Sequence, residues 1–518
     1  MGESATSLDM VAREMSAVVG EQFVITDEKE RRVYSNDIFF WDDTETADYV
    51  VQPENPEEIS GILSVAKALG LHVSTRGGGM SYTKGYVPAE KGCILIDLRR
   101  LDKIREIDEV NRFVVVDAGC TWASITDALN SRGLKLDFSA PFSGIYSTVG
   151  GALSQNVPAT MKGILGLEVV RADGAKVRTG SWGRRSPNVP FFRDYGPDLT
   201  GMFLGDTGAL GIKTGASLHV SRRPDGIAHG SFAFESYENM AQTMIDLGPY
   251  DFVTRRVGLD PFKSQNAAKV GFREAIKTLG DVSKSGPTLV SGLKDSLKIA
   301  SSGTNFMDGV KWSLHLSIEA LTEDAAEAGL DIVRKICLNR GREIANIMPR
   351  AMDARGFSVR GFLGKDGQRW VPTNSIWPLS RAVEVATAVQ AFFNERRQDM
   401  DKYGMWESYM TNYGQGYFMC EPSFYWVDEV SEHHLRHLPD DEAKKFRSLE
   451  PNLEARRYAQ QLRSGLRDFF YDLGAVHVQL AKFYRYQDSL EPETKRLAHE
   501  LKALLDPERL LNRANLGL

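Results

Sequence analysis

The sequence predicts an α+β protein built from more than one domain. Its 518 residues exceed the about 100 to 200 residues that one domain usually holds, so two to four folding units are expected. Apolar residues make up 42% and charged residues 25% of the chain, as in ordinary globular proteins. From about residue 48 to 220, short β-rich runs alternate with amphipathic helices and glycine clusters, which favours an α+β or α/β unit.

Individual elements can be located in this first part. Its predicted strands are 49–52, 94–98, 113–117 and 167–171. Asn55 can cap a helix that starts at Pro56, and Gly70 can end it in the left-handed conformation. A second helix is predicted from 121 to about 132. The Ala-Asp-Gly turn at 172–174 predicts a hairpin.

The chain changes character twice, which predicts three segments. Residues 1–224 carry the glycine clusters, and 225–460 are mixed and richer in aromatic residues. Residues 461–518 are too few to fold alone, so we expect them to pack back onto the first segment. Their last helix has leucines at helical spacing, namely Leu497, Leu501, Leu504 and Leu505. Asp506-Pro507 follows as its stop.

The composition excludes several classes of function. Lys plus Arg total 63 and Asp plus Glu total 69, so the formal net charge of −6 gives no electrostatic reason to bind nucleic acid. The cysteines, at 93, 120, 337 and 420, form no C-x-x-C pair, so no metal site or disulfide framework is predicted. No apolar stretch is long enough for a membrane span, and the N-terminus lacks the layout of a secretory signal. We expect a cytoplasmic protein.

Three glycine-rich segments indicate a phosphate-bearing ligand. They are TRGGGMSY at 75–82, STVGGALSQN at 147–156 and LGDTGALGI at 204–212. Backbone N–H groups that no side chain shields can converge on a pyrophosphate, and Arg76 adds positive charge nearby. The alternatives are a mobile turn for the first segment and close strand-to-helix packing for the other two. The G-x-G-x-x-G fingerprint is absent, which disfavours a Rossmann enzyme.

The order of the motifs resembles the FAD-binding domain of the vanillyl-alcohol oxidase / p-cresol methylhydroxylase (VAO/PCMH) flavoproteins. The motifs are RGGGMS at 76–81, VDAG at 116–119, STVGG at 147–151, LEVVRADG at 167–174 and GALGI at 208–212. The segment LDPERLLN at 505–512 is also similar to the C-terminus of that family.

The resemblance implies FAD as the cofactor and a PCMH-type fold. Two α+β subdomains within 1–224 would bind FAD, and 225–460 would form a cap with an antiparallel sheet covered by helices. The segment 461–518 would return to the FAD-binding domain. The residues expected to hold FAD are Arg76, Gly77, Gly78, Gly79, Met80, Ser81, Thr148, Gly150, Gly151, Ser154, Asn156, Gly208, Gly211 and Ile212.

The resemblance also bears on how FAD is attached. Many relatives bind FAD covalently through a histidine, which in one branch follows the glycine loop. Met80 stands at that position here and cannot form such a bond, so non-covalent FAD is expected. His433, His434 or His437 of the cap is the alternative, although these histidines are more simply interpreted as a polar helical surface.

Tyr82 and His477 are the predicted catalytic residues. By resemblance, Tyr82 stands where the phenol-oxidising branch has a tyrosine that helps hold the phenolate; a packed core tyrosine is the alternative. The Tyr-Arg pair of that branch is replaced by Val476-His477, and 156–162 lacks the acid that some phenol oxidases place beside flavin N5. His477 is predicted to carry charge near the flavin or to accept the substrate's hydroxyl proton. A hydrogen-bonded core histidine is the alternative.

The predicted cap contains a dense set of aromatic residues and a group of arginines. The aromatic residues are Trp377, Trp406, Tyr409, Tyr413, Tyr417, Phe424, Tyr425 and Trp426, with Glu407 and Glu421 among them. They form either a core or a pocket for a planar aromatic substrate. The arginines at 350, 355 and 360 either anchor a carboxylate or are solvated.

The predicted function is FAD-dependent oxidation of a small aromatic or phenolic alcohol, or of an alkylphenol, by hydride transfer to flavin N5. One alternative is a 2-hydroxy-acid dehydrogenase of the D-lactate or glycolate type. The other is a flavin-binding protein without turnover. Oxygen or a redox carrier is expected as electron acceptor, and the resemblance suggests a homo-oligomer, commonly a dimer.

Overall fold

The structure is a computed structural model that describes residues 2–39, 41, 43–138, 141–157, 163–260, 262, 307, 309–355, 357 and 362–518. The strands are β1 (Val24–Ile25), β2 (Tyr49–Val51), β3 (His72–Arg76), β4 (Cys93–Asp97), β5 (Ile104–Asp108), β6 (Phe113–Asp117), β7 (Leu134–Leu136), β8 (Ile164–Val170), β9 (Lys176–Arg178), β10 (Ile212–Arg222), β11 (Gly226–Phe234), β12 (Val253–Leu259), β13 (Trp312–Ala320), β14 (Gly341–Glu343), β15 (Arg369–Pro372), β16 (Ser375–Pro378), β17 (Trp406–Tyr413) and β18 (Tyr417–Trp426).

The helices are α1 (Gly2–Val19), α2 (Glu28–Tyr34), α3 (Pro56–Ala68), α4 (Trp122–Asn130), α5 (Val149–Gln155), α6 (Leu199–Met202), α7 (Tyr237–Leu247), α8 (Glu323–Cys337), α9 (Ile347–Arg355), α10 (Ala382–Glu395), α11 (Arg397–Lys402), α12 (Glu432–Leu435), α13 (Asp440–Phe446), α14 (Leu453–Asp472) and α15 (Pro492–Leu505).

The first sheet has the strand order β1-β2-β4-β3, with β4 parallel to both of its neighbours. Helix α3 covers it and buries Ile59, Ile62 and Leu63 against the strands. The predicted start of this helix is confirmed, because the Asn55 side chain accepts a hydrogen bond from the Glu58 amide and Pro56 opens the helix. Gly70 follows the helix with φ of 67°.

The second sheet has the order β5-β6-β10-β8-β9, and β7 pairs with the far end of β10. The predicted hairpin is confirmed, since β8 pairs with β9 in antiparallel register across the turn at 172–174. Helix α4 begins one residue later than predicted because Thr121 is its cap and accepts from the Ser124 amide. Two sheets with helices packed on them confirm the predicted α+β class.

The third sheet is antiparallel and has the order β14-β11-β13-β12-β17-β18-β15, with β16 also paired to β18. Its core combines Phe232, Leu316 and Phe418 of the strands with Met240 of α7 and Phe393 of α10. The predicted cap, an antiparallel sheet covered by helices, is therefore confirmed. Strands of the first two sheets fall within 24–222 and those of the third within 226–426, while the predicted boundary after 460 falls inside α14.

The C-terminal segment packs against the first sheet. The Val73 amide donates to the Leu510 carbonyl at 2.8 Å, and the Asn512 amide donates to the Val73 carbonyl at 2.7 Å. A buried Lys502–Asp506 ion pair at 2.6 Å closes the end of α15. Of the four leucines predicted to share a face of α15, Leu501 and Leu505 pack on the second-sheet core, whereas Leu497 and Leu504 are exposed. Among the described residues, no helix is both long and apolar enough to span a membrane.

Candidate functional site

The three glycine segments, far apart in sequence, meet at one junction. A Cβ added at Gly77 would collide with the Thr148 hydroxyl, so the first and second segments touch. The third is tied to the second because the Thr207 amide donates to the Ser154 carbonyl at 2.8 Å. Asn512 links the first segment to the third, since its side chain accepts from the Thr75 amide at 2.9 Å and donates to the Gly208 carbonyl at 2.7 Å. We call this region the glycine junction.

The loop after β3 leaves no room for side chains. A Cβ at Gly78 would overlap the Tyr146 carbonyl oxygen, and one at Gly79 would overlap the Arg76 guanidinium and the His433 ring. Gly79 also has φ of 76°, a conformation that L-residues with a side chain rarely adopt. Glycine at these positions therefore keeps the backbone bare, which is what a loop that offers its amides to a phosphate requires.

Buried polar atoms without protein partners surround the same junction. Among the described residues, the Ser147 and Thr148 hydroxyls, the Gln155 side-chain oxygen and the Thr207 hydroxyl are buried and accept or donate no hydrogen bond. Native proteins rarely leave such groups unpaired, so a concentration of them indicates a polar ligand. A dinucleotide has the phosphate, ribityl and ring polar groups to satisfy them, and the junction therefore fits FAD.

Other predicted cofactor residues have a packing role that is visible in the structure. A Cβ at Gly150 would press on Ala118, and one at Gly211 would press on the Val169 side chain. Ile212 opens β10 and is buried in the first-sheet core. Close packing therefore explains the residue type at these positions. Contacts between these residues and FAD remain predictions.

Ser154, Gly151 and Asn156 lie on or just after α5. Asn156 ends the helix in the left-handed conformation with φ of 54°. A Cβ at Gly151 would meet only the Thr148 hydroxyl, at 3.3 Å. These positions border the glycine junction, and FAD contacts by them also stay predictions.

Arg76 is buried at the start of the glycine loop. Its guanidinium donates to the Gly77 carbonyl at 3.2 Å and lies 4.0 Å from the Asp97 carboxylate. The rings of Tyr34 and Tyr86 lie 5.1 and 5.3 Å from the guanidinium carbon. Asp97 already offsets much of its charge, so Arg76 holds the loop in place as well as adding positive potential beside it.

Met80 and Ser81 follow the glycines and turn toward the cap. Met80 packs against the core of the third sheet. The Ser81 hydroxyl accepts from the Thr83 amide at 3.3 Å, and the Ser81 carbonyl accepts from the Ile38 amide at 3.0 Å. The loop is thus held from both the cap and the N-terminal segment.

The interpretation of the cap histidines as a polar helical surface is wrong. His433 and His434 are buried, because α12 inserts between the cap and the glycine loop. His433 Nε2 donates to the Gly79 carbonyl at 3.0 Å, where the Tyr86 hydroxyl also lies at 3.0 Å, and His437 Nδ1 donates to the His433 carbonyl at 2.8 Å. Burial lowers the pKa of all three histidines, so they are neutral at pH 7.

Tyr82 is buried at the boundary between the glycine loop and the cap. Its hydroxyl oxygen accepts a hydrogen bond of 2.9 Å from Gln479 Nε2, and its ring meets Trp370 edge-on at 6.0 Å. Burial, with a smaller effect from Glu421, holds the pKa of Tyr82 well above its ordinary value. Because Gln479 donates to the oxygen, the hydroxyl proton is available to an acceptor.

His477 is held in one tautomer beside Gln479. Its Nδ1 lies 2.8 Å from the Asn374 carbonyl, which can only accept, so Nδ1 carries the proton and Nε2 keeps its lone pair. The ring stacks on Tyr484 at 4.2 Å, and the Tyr484 hydroxyl in turn accepts from the Asn374 amide at 2.9 Å. Burial lowers the pKa of His477 to about 4, so it is a neutral proton acceptor at pH 7.

A cavity of about 340 Å³ lies beside these residues. Its polar lining includes Gln155, Asn156, Asp206, His477 and Gln479. Its apolar lining comes from α6, α15 and the C-terminus, and also from Leu204, Leu210, Val478 and Leu480. One predicted catalytic residue and one predicted cofactor residue therefore share a cavity wall.

Arg463 of α14 lies under Tyr82, and sequence reasoning missed it. Its guanidinium carbon is 5.6 Å from the Tyr82 ring centre and 4.0 Å from that of Phe483. None of its nitrogen atoms has a hydrogen-bond partner among the described residues, and burial lowers its pKa to about 10. Because this pKa lies above 7, Arg463 keeps its charge at pH 7, next to aromatic rings. An arginine in a polar helix gives no signal of this in the sequence.

Gln479, Asn374, Trp370 and Tyr484 were also missed. Each acts on Tyr82 or His477 from a different element, through the contacts given above. Gln479 lies two residues after His477, so a search of the sequence neighbours of His477 could have found it. The other positions carry no local pattern.

The cap aromatic residues divide between the two faces of the third sheet. Trp377, Tyr409, Tyr413, Phe424 and Trp426 belong to the core under the helices, which confirms the core interpretation for them. Trp406 and Tyr425 instead stack on each other at 5.6 Å, outside that core. Among the predicted carboxylate anchors, Arg350 donates to Asn346 at 3.1 Å, while Arg360 and the side chain of Arg355 lie outside the described residues.

Comparison with known proteins agrees with this geometry. Residues 47–180 match a family model described as an FAD binding domain. The glycolate oxidase subunit GlcD of Bacillus subtilis is 32% identical over 208 residues, which cover 39% of this chain and 42% of the relative. D-lactate dehydrogenase of Archaeoglobus fulgidus is 32% identical over 180 residues, covering 33% and 38%. The chain thus spans less than half the length of these curated relatives.

Solved structures match nearly the whole chain. A p-cresol methylhydroxylase with substrate bound has a TM-score of 0.71 at 19% identity, covering 99% of this chain and 97% of that one. A 4-ethylphenol oxidase from Gulosibacter chungangensis, in complex with isoeugenol, has a TM-score of 0.72 at 17% identity, covering 100% and 98%. Identity this low shows a common fold. The chain therefore contains a segment that matches an FAD binding domain, at 47–180, and shares the overall fold of these two structures.

Proposed function

We propose that this protein oxidises a small aromatic alcohol or alkylphenol. The observation that carries the proposal is His477, a neutral histidine with a fixed tautomer on the wall of a 340 Å³ cavity. When bound, FAD supplies the hydride acceptor. The residues of the glycine junction would hold its pyrophosphate, and the chain's own task is to bind, orient and deprotonate the substrate.

His477 would accept the substrate's hydroxyl proton at Nε2. The bond from Nδ1 to the Asn374 carbonyl orients the ring and supports the positive charge that this transfer creates. The Tyr82 hydroxyl would donate a hydrogen bond to a substrate oxygen while keeping its proton, and Gln479 donates to the Tyr82 oxygen and holds it in place. Trp370 beside Tyr82 supplies an apolar wall that suits a planar ring.

A 2-hydroxy-acid substrate is the second candidate. It is favoured by the relatives named glycolate oxidase subunit and D-lactate dehydrogenase, which are similar to this chain over its FAD-binding part. A carboxylate needs a cationic anchor, and Arg350 already donates to Asn346. Arg463 has unpaired N–H groups but is fully buried among aromatic rings, so a substrate would have to displace one of them to reach it.

Anaerobic mixing separates these candidates. The holoprotein is mixed with benzylic alcohols, alkylphenols, D-lactate and glycolate, and flavin bleaching is followed in each case. Faster bleaching by the aromatic compounds supports the proposal, and faster bleaching by the hydroxy acids supports the second candidate. If a fully loaded flavin stays oxidised with every compound, the protein binds flavin without turnover.

We propose non-covalent FAD. Met80 offers no atom for a flavin bond, and His433, His434 and His437 each use a ring nitrogen in a hydrogen bond within the protein. A visible spectrum before and after acid precipitation tests this, since a covalent flavin would stay with the pellet.

We also propose that oxygen or a redox carrier accepts the electrons and that the protein forms a homo-oligomer. We propose a cytoplasmic location, to which four buried free cysteines are suited.

A further inference from the structure

The exposed apolar surface is concentrated in the loop that joins β9 to α6. Of the seventeen large hydrophobic side chains exposed among the described residues, five lie between 189 and 199. They are Val189, Phe191, Phe192, Tyr195 and Leu199, and they include three of the four exposed aromatic side chains. Such a patch on a globular protein marks an interaction surface more often than chance exposure does. We call residues 184–199 the aromatic loop.

The aromatic loop is held in shape rather than loosely extended. The Ser181 hydroxyl donates to the Val189 carbonyl at 2.7 Å and accepts from the Phe191 and Phe192 amides at 3.1 and 3.0 Å. Arg193 and Asp198 form a two-point ion pair at 3.0 and 2.7 Å across its base. The aromatic rings are thus presented to solvent by a formed backbone, which lowers the entropy cost of docking.

A second exposed apolar feature lies on α15. Leu497, Leu501 and Leu504 follow helical spacing, but Leu497 and Leu504 are 64% and 73% exposed. Leu501 lines the 340 Å³ cavity together with Met202 of α6, the helix that directly follows the aromatic loop. Helices α6 and α15 thus each contribute to one cavity wall, on which His477 also lies.

The charge of the aromatic loop differs from that of the whole chain. The chain carries a net charge of −6, whereas residues 184–199 hold three arginines and two aspartates and begin with the adjacent, exposed Arg184 and Arg185. Within the part of the chain that the structure describes, neither arginine is in an ion pair. Exposed aromatic side chains next to unpaired basic charge are suited to the interface of an anionic bilayer.

We propose that the aromatic loop docks the protein on an anionic lipid surface. The rings of Phe191, Phe192 and Tyr195 would enter the headgroup region, and Arg184 and Arg185 would bind lipid phosphates. A second copy of the chain is the less favoured occupant. The five exposed loop side chains offer only on the order of 400 Å², about half of the roughly 800 Å² that each partner of a stable dimer buries.

Sedimentation of the FAD-loaded full chain with vesicles tests the proposal. One set of vesicles is pure phosphatidylcholine and the other is an equimolar mixture with phosphatidylglycerol. We expect binding to the anionic vesicles, weakened by added salt. Phe191→Ser with Phe192→Ser should weaken it at least about tenfold, and Arg184→Gln with Arg185→Gln about fivefold for each arginine. The control is Leu321→Ser, an 88% exposed residue of the cap.

Each variant must keep the flavin content and melting temperature of the parent, which shows that its fold is intact. The proposal is overturned if the parent stays in the supernatant with anionic vesicles, or if the phenylalanine variant binds them as tightly. It is also overturned if ultracentrifugation shows a dimer that the phenylalanine substitutions convert to a monomer while vesicles do not bind. None of these outcomes depends on flavin reduction, so failure here leaves the proposed function untouched.

Discussion

The glycine junction and the Tyr82–His477 region differ in what makes them work. In the junction, the backbone acts: Gly77, Gly78 and Gly79 omit side chains so that amides lie bare. In the other region, side chains act, and they come from the glycine loop, β15 and the C-terminal segment, together with the turn between β15 and β16. The glycine junction depends on the absence of side chains from a short motif. The Tyr82–His477 region depends on side chains that distant segments bring together.

This difference has consequences for substitution. Gly78 of the junction faces backbone atoms that cannot move cheaply, and Gly77 and Gly79 face buried side chains, so adding one methyl group is costly. Tyr82 and His477 face other side chains, so removing one functional group leaves the surrounding packing in place. We therefore expect that adding a side chain to a junction glycine abolishes flavin binding. Removing one functional group from the Tyr82–His477 region should instead abolish turnover.

The largest effect is expected from Gly78→Ala. The new Cβ would overlap the Tyr146 carbonyl oxygen, which belongs to the backbone of the facing segment. We expect purified protein that lacks flavin, measured as the ratio of visible flavin absorbance to protein absorbance. A full flavin complement with an unchanged melting temperature would show that the junction is looser than described.

His477→Asn should separate turnover from cofactor binding. Asparagine can still donate to the Asn374 carbonyl but offers no ring lone pair to accept a proton. We expect the rate of anaerobic flavin reduction to fall about 100-fold or more, with the flavin content unchanged. The control is His499→Asn, an exposed histidine that bonds Gln487 at 3.0 Å. Reduction at the parental rate would remove His477 from the proposed chemistry.

A smaller effect is expected on the stability of the folded protein at acid pH. It involves two buried histidines, His72 of β3 and His315 of the cap. Burial lowers the pKa of His72 to about 4 and that of His315 to about 3, against an ordinary value of 6.5. Between pH 6.5 and 4 the unfolded chain therefore binds more protons than the folded one, and stability falls as the pH drops. Each histidine should contribute about 1.4 kcal/mol per pH unit within that window.

The urea midpoint measured at several pH values between 7 and 4.5 checks this. His315→Asn should flatten the pH dependence of the cap transition, because asparagine can still bond Ser231 and Ser313 but does not titrate. A midpoint that rises as the pH falls would contradict the prediction.

The smallest effect is expected from Gly465→Ala on α14. A Cβ there would meet only the Phe392 ring, at 3.9 Å, and the position lies in a helix interior. We expect a stabilisation of about 0.5 to 1 kcal/mol, because alanine restricts the unfolded chain. The substitution also serves as the matched control for Gly78→Ala. Loss of flavin in this variant would mean that the cap helix couples to the junction.

The histidines of the cap illustrate why some predictions failed. Three histidines within 431–438 have the composition of a polar surface, and nothing local indicates burial. Helix α12 is buried because it packs against the glycine loop, where His433 bonds the Gly79 carbonyl, far away in sequence. Arg463 is a similar case, since only the arrival of Phe39, Tyr82 and Phe483 around it makes a charged helix residue part of the core.

Motifs whose function lies in the backbone could be identified from the amino-acid sequence alone. Glycine runs, the cap at Asn55 and the turn at 172–174 are local, because hydrogen bonds and steric exclusion over a few residues produce them. They were sufficient to predict the α+β class, whereas FAD and the antiparallel cap were predicted from the resemblance of the ordered motifs to the VAO/PCMH flavoproteins. The partners of Tyr82 and His477 were decided only by tertiary packing. Asn374 reaches His477, and Gln479 reaches Tyr82, from segments that are distant in sequence, and no local periodicity encodes such contacts.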